Sequence, residues 1–254
     1  MEKITLSIFV PCFNEEKNIT NTLNNIKNGV IDISYEILIV DDASKDKTIE
    51  MIEKFKKNNP NLDIKIISNK NNRGIGFNYR ETAQIAQGKY YMFLSGDDSL
   101  PSAEIKKTVD NIGKADMILV YFIDKRGILR KIISKIFTVI INLITMNNLK
   151  YYNGSNIHLL ENVKLFSGKQ HGFGYQAELI TSQIRQKKTY IEIEVKTYLK
   201  TYEKSEAFKL HSIPSVIKSI ISIFLNQIIY VAKKIFDFLI RKELKKNQII
   251  SIKY

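Results

Sequence analysis

Ile37-Leu38-Ile39-Val40-Asp41-Asp42-Ala43-Ser44-Lys45-Asp46-Lys47-Thr48 decides the fold. It closes a continuous apolar run, Tyr35–Val40, of the kind needed by a strand buried on both faces of a parallel sheet. Two adjacent carboxylates, Asp41 and Asp42, stop the run. From Asp46 onward Ile49, Ile52 and Phe55 recur at helical spacing, as far as Asn58. Strand, acidic turn and helix make half of a βαβ unit. Taken alone, Asp41-Asp42 reads equally well as a turn with a helix cap.

The same alternation extends on both sides. Ile4–Val10, Leu62–Ser68, Tyr90–Leu94 and Ala115–Tyr121 read as further strands. Glu15–Asn28, Gly74–Gln87 and Ser102–Ile112 read as helices, the second ending at Gly88 in the C′ position. The pattern predicts an α/β fold with a mostly parallel sheet and helices on both faces. The 254 residues are 44% hydrophobic, enough to bury a full core and to exclude global disorder. With 11 Gly and 4 Pro, a collagen-like or linker chain is excluded. The single cysteine, Cys12, excludes a disulfide framework and a multi-cysteine zinc site. His158, His171 and His211 lie far apart, with no metal-site spacing. Ile4–Val10 is too short for the core of a secretory signal, so a reducing, cytoplasmic environment is expected.

The net charge of +13 is unevenly placed. Residues 1–124 hold 16 Lys+Arg against 18 Asp+Glu; residues 125–254 hold 23 against 8. A basic half points to a polyanionic partner or to a solvated lysine-rich surface. Two amphipathic stretches lie in that half. Lys131–Met146 places Lys131, Ser134, Lys135, Thr138, Asn142 and Thr145 on a narrow polar stripe. Ser212–Arg241 repeats the design, with Ser212 as N-cap, Pro214 in the first turn, and Ser215, Lys218, Ser219, Ser222, Asn226, Lys233, Asp237 and Arg241 as its stripe. The longest uncharged runs, Ile136–Leu149 and Ser219–Ala232, fall short of the roughly 20 residues of a transmembrane span. Helices lying in the membrane interface are expected, the alternative being that both pack on the α/β domain. A helix around Gly174–Gln186 and a strand at Thr189–Val195 separate them.

Ligands bind at the carboxyl ends of strands in such sheets. The loops there are Val10-Pro11-Cys12-Phe13-Asn14-Glu15-Glu16, Val40-Asp41-Asp42-Ala43-Ser44-Lys45-Asp46 and Leu94-Ser95-Gly96-Asp97-Asp98-Ser99-Leu100-Pro101. Two acidic pairs at strand ends call for a compensating cation or hydrogen-bond donors. Between them Asn72-Arg73-Gly74-Ile75-Gly76, with Arg80 beyond, suits a phosphate site, but the third glycine of the dinucleotide fingerprint is missing.

These loops, in this order, resemble the inverting glycosyltransferases of family 2. The matching residues are 10–15, Ile39-Val40-Asp41-Asp42-Ala43-Ser44-Lys45-Asp46-Lys47-Thr48, Asn72-Arg73-Gly74, 88–98 and Pro101. The resemblance implies the GT-A fold and a nucleotide-sugar donor. It implies that Pro11, Phe13 and Glu15 line the base and ribose pocket, that Asp42 bonds the base, that Arg80 helps hold the nucleotide, and that Arg73 is a candidate for the diphosphate. Asp97 matches the last aspartate of the family's Asp-x-Asp motif and would bind Mg²⁺ or Mn²⁺. Ser95 replaces the first aspartate, and Asp98 stands ready to compensate.

Lys125-Arg126-Gly127-Ile128-Leu129-Arg130-Lys131 after the fifth strand, and Gly172-Phe173-Gly174-Tyr175-Gln176-Ala177-Glu178-Leu179, make the second half similar, less closely, to the dolichol-phosphate mannosyltransferase branch. The resemblance implies a membrane polyprenyl phosphate as acceptor, with its phosphate gathered by Arg126, Arg130 and Lys131; these three also read as a surface cluster at a helix end. It divides the chain into a transferase domain over 1–210 (donor half 1–124, acceptor half 125–210) and a basic amphipathic helical region over 211–254. The implied location is peripheral, on the cytoplasmic face of an anionic membrane. If the acceptor is instead a sugar hydroxyl of a cell-surface glycan, Glu178 is the candidate base; its plain reading is a helix salt bridge. A non-catalytic, transferase-like binding protein is a further alternative, motivated by Ser95. Nucleic acid is excluded as a partner, because the acidic loops oppose a phosphate backbone and no reading motif is present.

Overall fold

The computed structural model describes residues 4–97, 99–123, 128–168, 172, 174–197 and 213–251. In chain order the elements are β1 (Leu6–Cys12), α1 (Ile19–Gly29), β2 (Tyr35–Asp41), α2 (Thr48–Asn58), β3 (Asp63–Ser68), α3 (Ile75–Ile85), β4 (Tyr90–Phe93), α4 (Ser102–Val109), β5 (Met117–Ile123), α5 (Ile128–Thr145), β6 (Ile157–Leu159), α6 (Leu160–Lys164), α7 (Tyr175–Arg185), β7 (Tyr190–Lys196) and α8 (Ile213–Ser251). The strands form one sheet in the order β3-β2-β1-β4-β6-β5-β7. The short β6 runs antiparallel to β4 and β5, and the other pairings are parallel.

The apolar runs of the sequence are explained by two-sided burial. Along β1, Leu6, Ile8 and Val10 face a core completed by α1, α2 and α4, while Phe9 faces the other side with α3, α6 and α7. On β2, Ile37 and Ile39 take the first side and Leu38 and Val40 the second. On the second side Phe9, Tyr79, Tyr91 and Tyr175 form a ring cluster, with centroids 4.8–6.2 Å apart. A third cluster joins Met117 and Leu119 of β5 to Ile141 of α5, Ala177 and Ile180 of α7, and Ile223 of α8.

Three expectations change. Gly88 is not a helix cap: α3 ends at Ile85, and Ala86 is already extended. Gly88 instead presses on β1, where a Cβ would sit 2.5 Å from the Ser7 amide nitrogen, and its own N–H donates to Ser7 Oγ (2.8 Å). That contact belongs to a buried network, since Ser7 Oγ and Lys65 Nζ both donate to Glu36 at 2.6 Å, and Gln87 N at 2.7 Å. Burial opposes the Glu36 charge, but these donors hold its carboxyl below the usual range.

The C-terminal helix is longer than expected, reaching Ser251, and its proposed N-cap Ser212 lies outside the described residues. Its early turns are seated on α5 and α7, with Ser219 and Ile223 fully buried. By length and composition Pro214–Ile240 suffices to cross a membrane, which the uncharged-run argument did not anticipate.

The polarity of α5 is inverted relative to a surface helix. Thr138, Ile141 and Thr145 are buried against the domain, while Ile132, Ile136, Val139 and Leu143 lie exposed on the outside. The helix ends at Thr145, and the next residue, Met146, takes a left-handed φ of 57°. Asn142 bonds Leu149 through both backbone groups (2.8 and 3.2 Å) and accepts from the Tyr152 hydroxyl.

Candidate active site

The three loops that carry the chemistry meet where β2, β1 and β4 lie side by side, at their carboxyl ends. Side chains lace the first two loops together. Asn14 N donates to Ser44 Oγ (2.9 Å), Glu15 N to Thr48 Oγ1 (2.8 Å) and Glu16 N to Asp46 Oδ2 (3.1 Å). In return Lys45 N donates to Asn14 Oδ1 (2.8 Å) and Lys47 N to Glu16 Oε2 (3.0 Å). Loop amides with no strand or helix partner are thereby satisfied. Asn14 and Ala43 both adopt left-handed φ (56° and 70°), backbone strain held by this lacing. The third loop joins through Gly96, whose N–H donates to Pro11 O (3.1 Å) and whose carbonyl accepts from Thr22 Oγ1 (3.0 Å).

Asp42 is buried, and its carboxylate gathers the next loop. It accepts from Arg73 N (2.9 Å), Gly74 N (3.0 Å) and Asn69 Nδ2 (2.8 Å). Gly74 turns there at a φ of 84°, which a side chain would strain, and opens α3. Any bond from Asp42 to a nucleotide base shares the carboxylate with these donors. Pro11 pairs with Val40 at the end of β1, and Phe13 is half-buried beside it. Glu15 Oε2 accepts from Asn18 Nδ2 (2.7 Å). The exposed Arg73 guanidinium lies 3.5 Å over the Phe77 ring. Cys12 is buried, and burial drives its thiol far above the ordinary range, so it is inert packing.

Asp97 is half-buried, and its Oδ1 accepts from Ser99 N (3.2 Å); Ser95 shares its loop. Asp98 lies outside the described residues. Among the described residues no three His, Cys, Asp or Glu side chains group as a metal cage. A half-buried loop carboxylate at the end of β4 nevertheless suits a divalent ion of the Mg²⁺ type, which takes one or two carboxylates and completes its shell with substrate phosphates and water.

Arg80 of α3 is within electrostatic reach of Glu178 and Tyr175 of α7. Glu178 is 4% exposed, and burial pushes its carboxyl up to about 7 against the pull of Ser222, Arg80 and Arg185. The α7 end is fixed by Asn156, which accepts from Val120 N (2.7 Å) and donates to Gln176 Oε1 (2.7 Å). Lys131 is exposed on α5, whereas Arg126 and the side chain of Arg130 lie outside the described residues. Donor-side candidates and Glu178 are thus brought to one end of the sheet. The lacing roles of Ser44, Asp46 and Thr48, and the place of Arg185 and Ser222 near Glu178, were not assigned by sequence reasoning. The first three carried a signal in their alternate spacing after a strand; the last two carried none.

This arrangement is that of a GT-A nucleotide-sugar fold, and comparison with known proteins agrees. Residues 7–168 match the model of glycosyl transferase family 2, and the chain belongs to that family. It is 26% identical over 170 residues to a dolichyl-phosphate beta-glucosyltransferase of Dictyostelium discoideum, covering 59% of this chain and 52% of that protein. It is 30% identical over 117 residues to a poly(ribitol-phosphate) beta-N-acetylglucosaminyltransferase of Staphylococcus aureus, covering 45% of this chain and 20% of that one. The chain therefore spans about half of the first relative and a fifth of the second. Among solved structures it superposes on glucosyl-3-phosphoglycerate synthase from Mycobacterium tuberculosis, in complex with Mn²⁺, UDP and glucosyl-3-phosphoglycerate. The TM-score is 0.67 at 13% identity, over 88% of this chain and 80% of that one, which establishes the shared fold.

Proposed function

We propose that this protein moves a sugar from a nucleoside-diphosphate sugar, with inversion, to a membrane polyprenyl phosphate, working as a peripheral protein on the cytoplasmic face. Family membership and the laced donor loops support the donor half. One observation carries the acceptor half: two neighbouring helices turn their apolar faces outward. On α8 the outward residues include Ile217, Ile221, Phe224, Leu225, Ile228 and Ile235, each at least half exposed. Apolar surface on this scale, in a strongly basic half of the chain, fits an anionic bilayer.

The helix geometry favours lying flat over spanning. At about 100° per residue, buried Ser219 and Ile223 share an azimuth with Asn226, Tyr230 and Asp237 further along. The side that meets the domain in the early turns thus continues as the polar side, and over Pro214–Ile240 the opposite arc is apolar apart from Lys218. A helix so arranged rests its apolar arc in the interface with the domain above it.

Pro11, Phe13, Glu15 and Asp42 then receive the base and ribose, Arg80 helps hold the nucleotide, and Arg73 meets the diphosphate. Asp97, with Asp98 as the compensating candidate, would hold the divalent ion, which would supply neutralising charge for the departing nucleoside diphosphate. Arg126, Arg130 and Lys131 draw in the acceptor phosphate. Its oxygen is already ionised and forms the bond to the anomeric carbon from the face opposite the leaving group. The carbon–oxygen bond to the diphosphate breaks, its electron pair leaves with the nucleotide, and no strong base is needed.

A second reading is favoured by Glu178. A carboxyl titrating at about 7 is matched to a general base near neutral pH, as a sugar-hydroxyl acceptor requires. Both readings meet in one assay. Full-length protein with Mn²⁺ is given labelled nucleotide sugars and either vesicles containing polyprenyl phosphate or a soluble glycan. Label entering the lipid, nearly unchanged by Glu178→Gln, supports the first reading. Label entering only the glycan, with a loss of about 10²-fold or more in Glu178→Gln, replaces it with the second. Binding without turnover of any donor leaves the non-catalytic protein.

A further inference from the structure

The hydrogen bonds at Asp42 leave its carboxylate almost fully spent. A carboxylate offers two oxygens and about four lone-pair positions. Oδ1 accepts from Asn69 Nδ2 (2.8 Å) and from Arg73 N (2.9 Å), which fills it. Oδ2 accepts from Gly74 N (3.0 Å), and among the described residues no second donor reaches it. The two backbone amides belong to the turn that opens α3. The third donor is a side chain, and it too is held in place. Asn69 Nδ2 spends its other hydrogen on Asn78 Oδ1 (2.9 Å), and the Asn69 N–H donates to Asp41 O (2.9 Å). Asn78 is buried in α3, so the Asn69 amide is anchored in the core. The Asn69 atom that meets Asp42 has to be the nitrogen, because a carboxylate has no hydrogen to give.

Arg73 N and Gly74 N already close the turn on Asp42, one on each oxygen. The effect of Asn69 is on what remains: one open acceptor position, on Oδ2, instead of one on each oxygen. We propose that Asn69 determines which base the donor site takes, by leaving Asp42 a single open position that suits uracil or thymine and refuses guanine. The inference deepens the donor half of the proposed function and rests on its assignment of Asp42 to the base. Uracil and thymine present one ring N–H, at N3, between two carbonyls, and one open position satisfies it. Guanine presents N1–H and N2–H side by side and needs both oxygens. With Oδ1 closed, one of those N–H groups is desolvated without an acceptor. Cytosine offers N4–H but sets the lone pair of its N3 beside the carboxylate. The donor class is then a uridine or thymidine diphosphate sugar.

The test is calorimetry on the full-length protein with Mn²⁺, comparing UDP, GDP and CDP. The parent binds UDP at least about 10-fold more tightly than GDP or CDP. Asn69→Ala opens a position on each oxygen, so the preference for UDP over GDP shrinks at least about 5-fold while the preference over CDP stays. Loosening of the turn alone would move GDP and CDP together, so the CDP arm separates lost selectivity from lost structure. Should Asn69→Ala fail to fold, Asn78→Ala, which only releases the Asn69 amide, carries the same comparison. A parent without the preference for UDP over GDP overturns the inference. So does a variant whose UDP-to-GDP ratio is unchanged, or whose GDP and CDP ratios shift in parallel. Failure of all three nucleotides to bind the parent overturns the donor-site reading instead.

Discussion

Replacing Glu178 by Gln is expected to stabilise the protein, and only at neutral and alkaline pH. Gln keeps the volume of the side chain, but it has no charge to bury. In the folded chain burial raises the carboxyl from an ordinary 4.5 to about 7. The folded state thus holds a proton that the unfolded state has released between those values. Stability falls as pH rises from about 4.5 to about 7 and is flat above. The rise corresponds to about 3 kcal/mol at pH 8, and the side chain is buried enough for little of this to be screened. Below pH 4.5 both side chains are neutral, and parent and variant coincide. For a domain of this size about 3 kcal/mol moves Tm by about 6–12 °C. Melting both proteins at pH 4.5, 6, 7 and 8 isolates the effect, since every other titrating group is common to the pair. Parallel curves across that range would refute the burial argument for Glu178.

Asp97→Asn should lower turnover by about 10²–10³-fold while leaving the melting temperature in place, because transition-state charge neutralisation worth several kcal/mol is lost; near-parental kcat would remove Asp97 from the metal site. Ser95→Asp should tighten Mn²⁺ binding measured calorimetrically in the presence of UDP, and an unchanged Kd would place residue 95 away from the ion. Truncation after Tyr230 removes only described residues that are exposed on all sides, Val231–Ile240, plus the tail beyond them. It should release the protein from phosphatidylglycerol vesicles at physiological salt without changing Tm, and retention on vesicles would mean that the earlier turns suffice. Cutting at Ser212 is a different experiment, because it strips Ser219 and Ile223 from the core.

The strands and helices of the donor half were legible because two-sided burial writes long apolar runs such as Tyr35–Val40, and one-sided burial writes the spacing of Ile49, Ile52 and Phe55. The antiparallel β6 was not, since three residues carry no period. The inverted α5 shows a deeper limit. Periodicity reveals that Thr138, Asn142 and Thr145 share a stripe, but it does not say which side meets the domain. That was settled by hydrogen bonding, as Asn142 satisfies both backbone groups of Leu149. Gly88 read as a cap for the same reason: a glycine after a helix and a glycine forced by Ser7 look alike in one dimension. The loop motifs were legible as a pattern, whereas the division of labour within them was not. Ser44, Asp46 and Thr48 build the cleft, and Asp42 gathers the loop that opens α3. The environment of Glu178 depends on α8, more than forty residues downstream, and no local pattern announces it.

The account turns most directly on whether the loops after β1, β2 and β4 hold a nucleoside diphosphate with a divalent ion. Titrating UDP, GDP and dTDP into the full-length protein by calorimetry, with Mn²⁺ and with chelator, asks this without any assumption about sugar or acceptor. At least one nucleotide is predicted to bind, more tightly with Mn²⁺, and to lose that metal gain in Asp97→Asn. Absence of binding by all three in the presence of Mn²⁺, or a metal gain that survives Asp97→Asn, would contradict it.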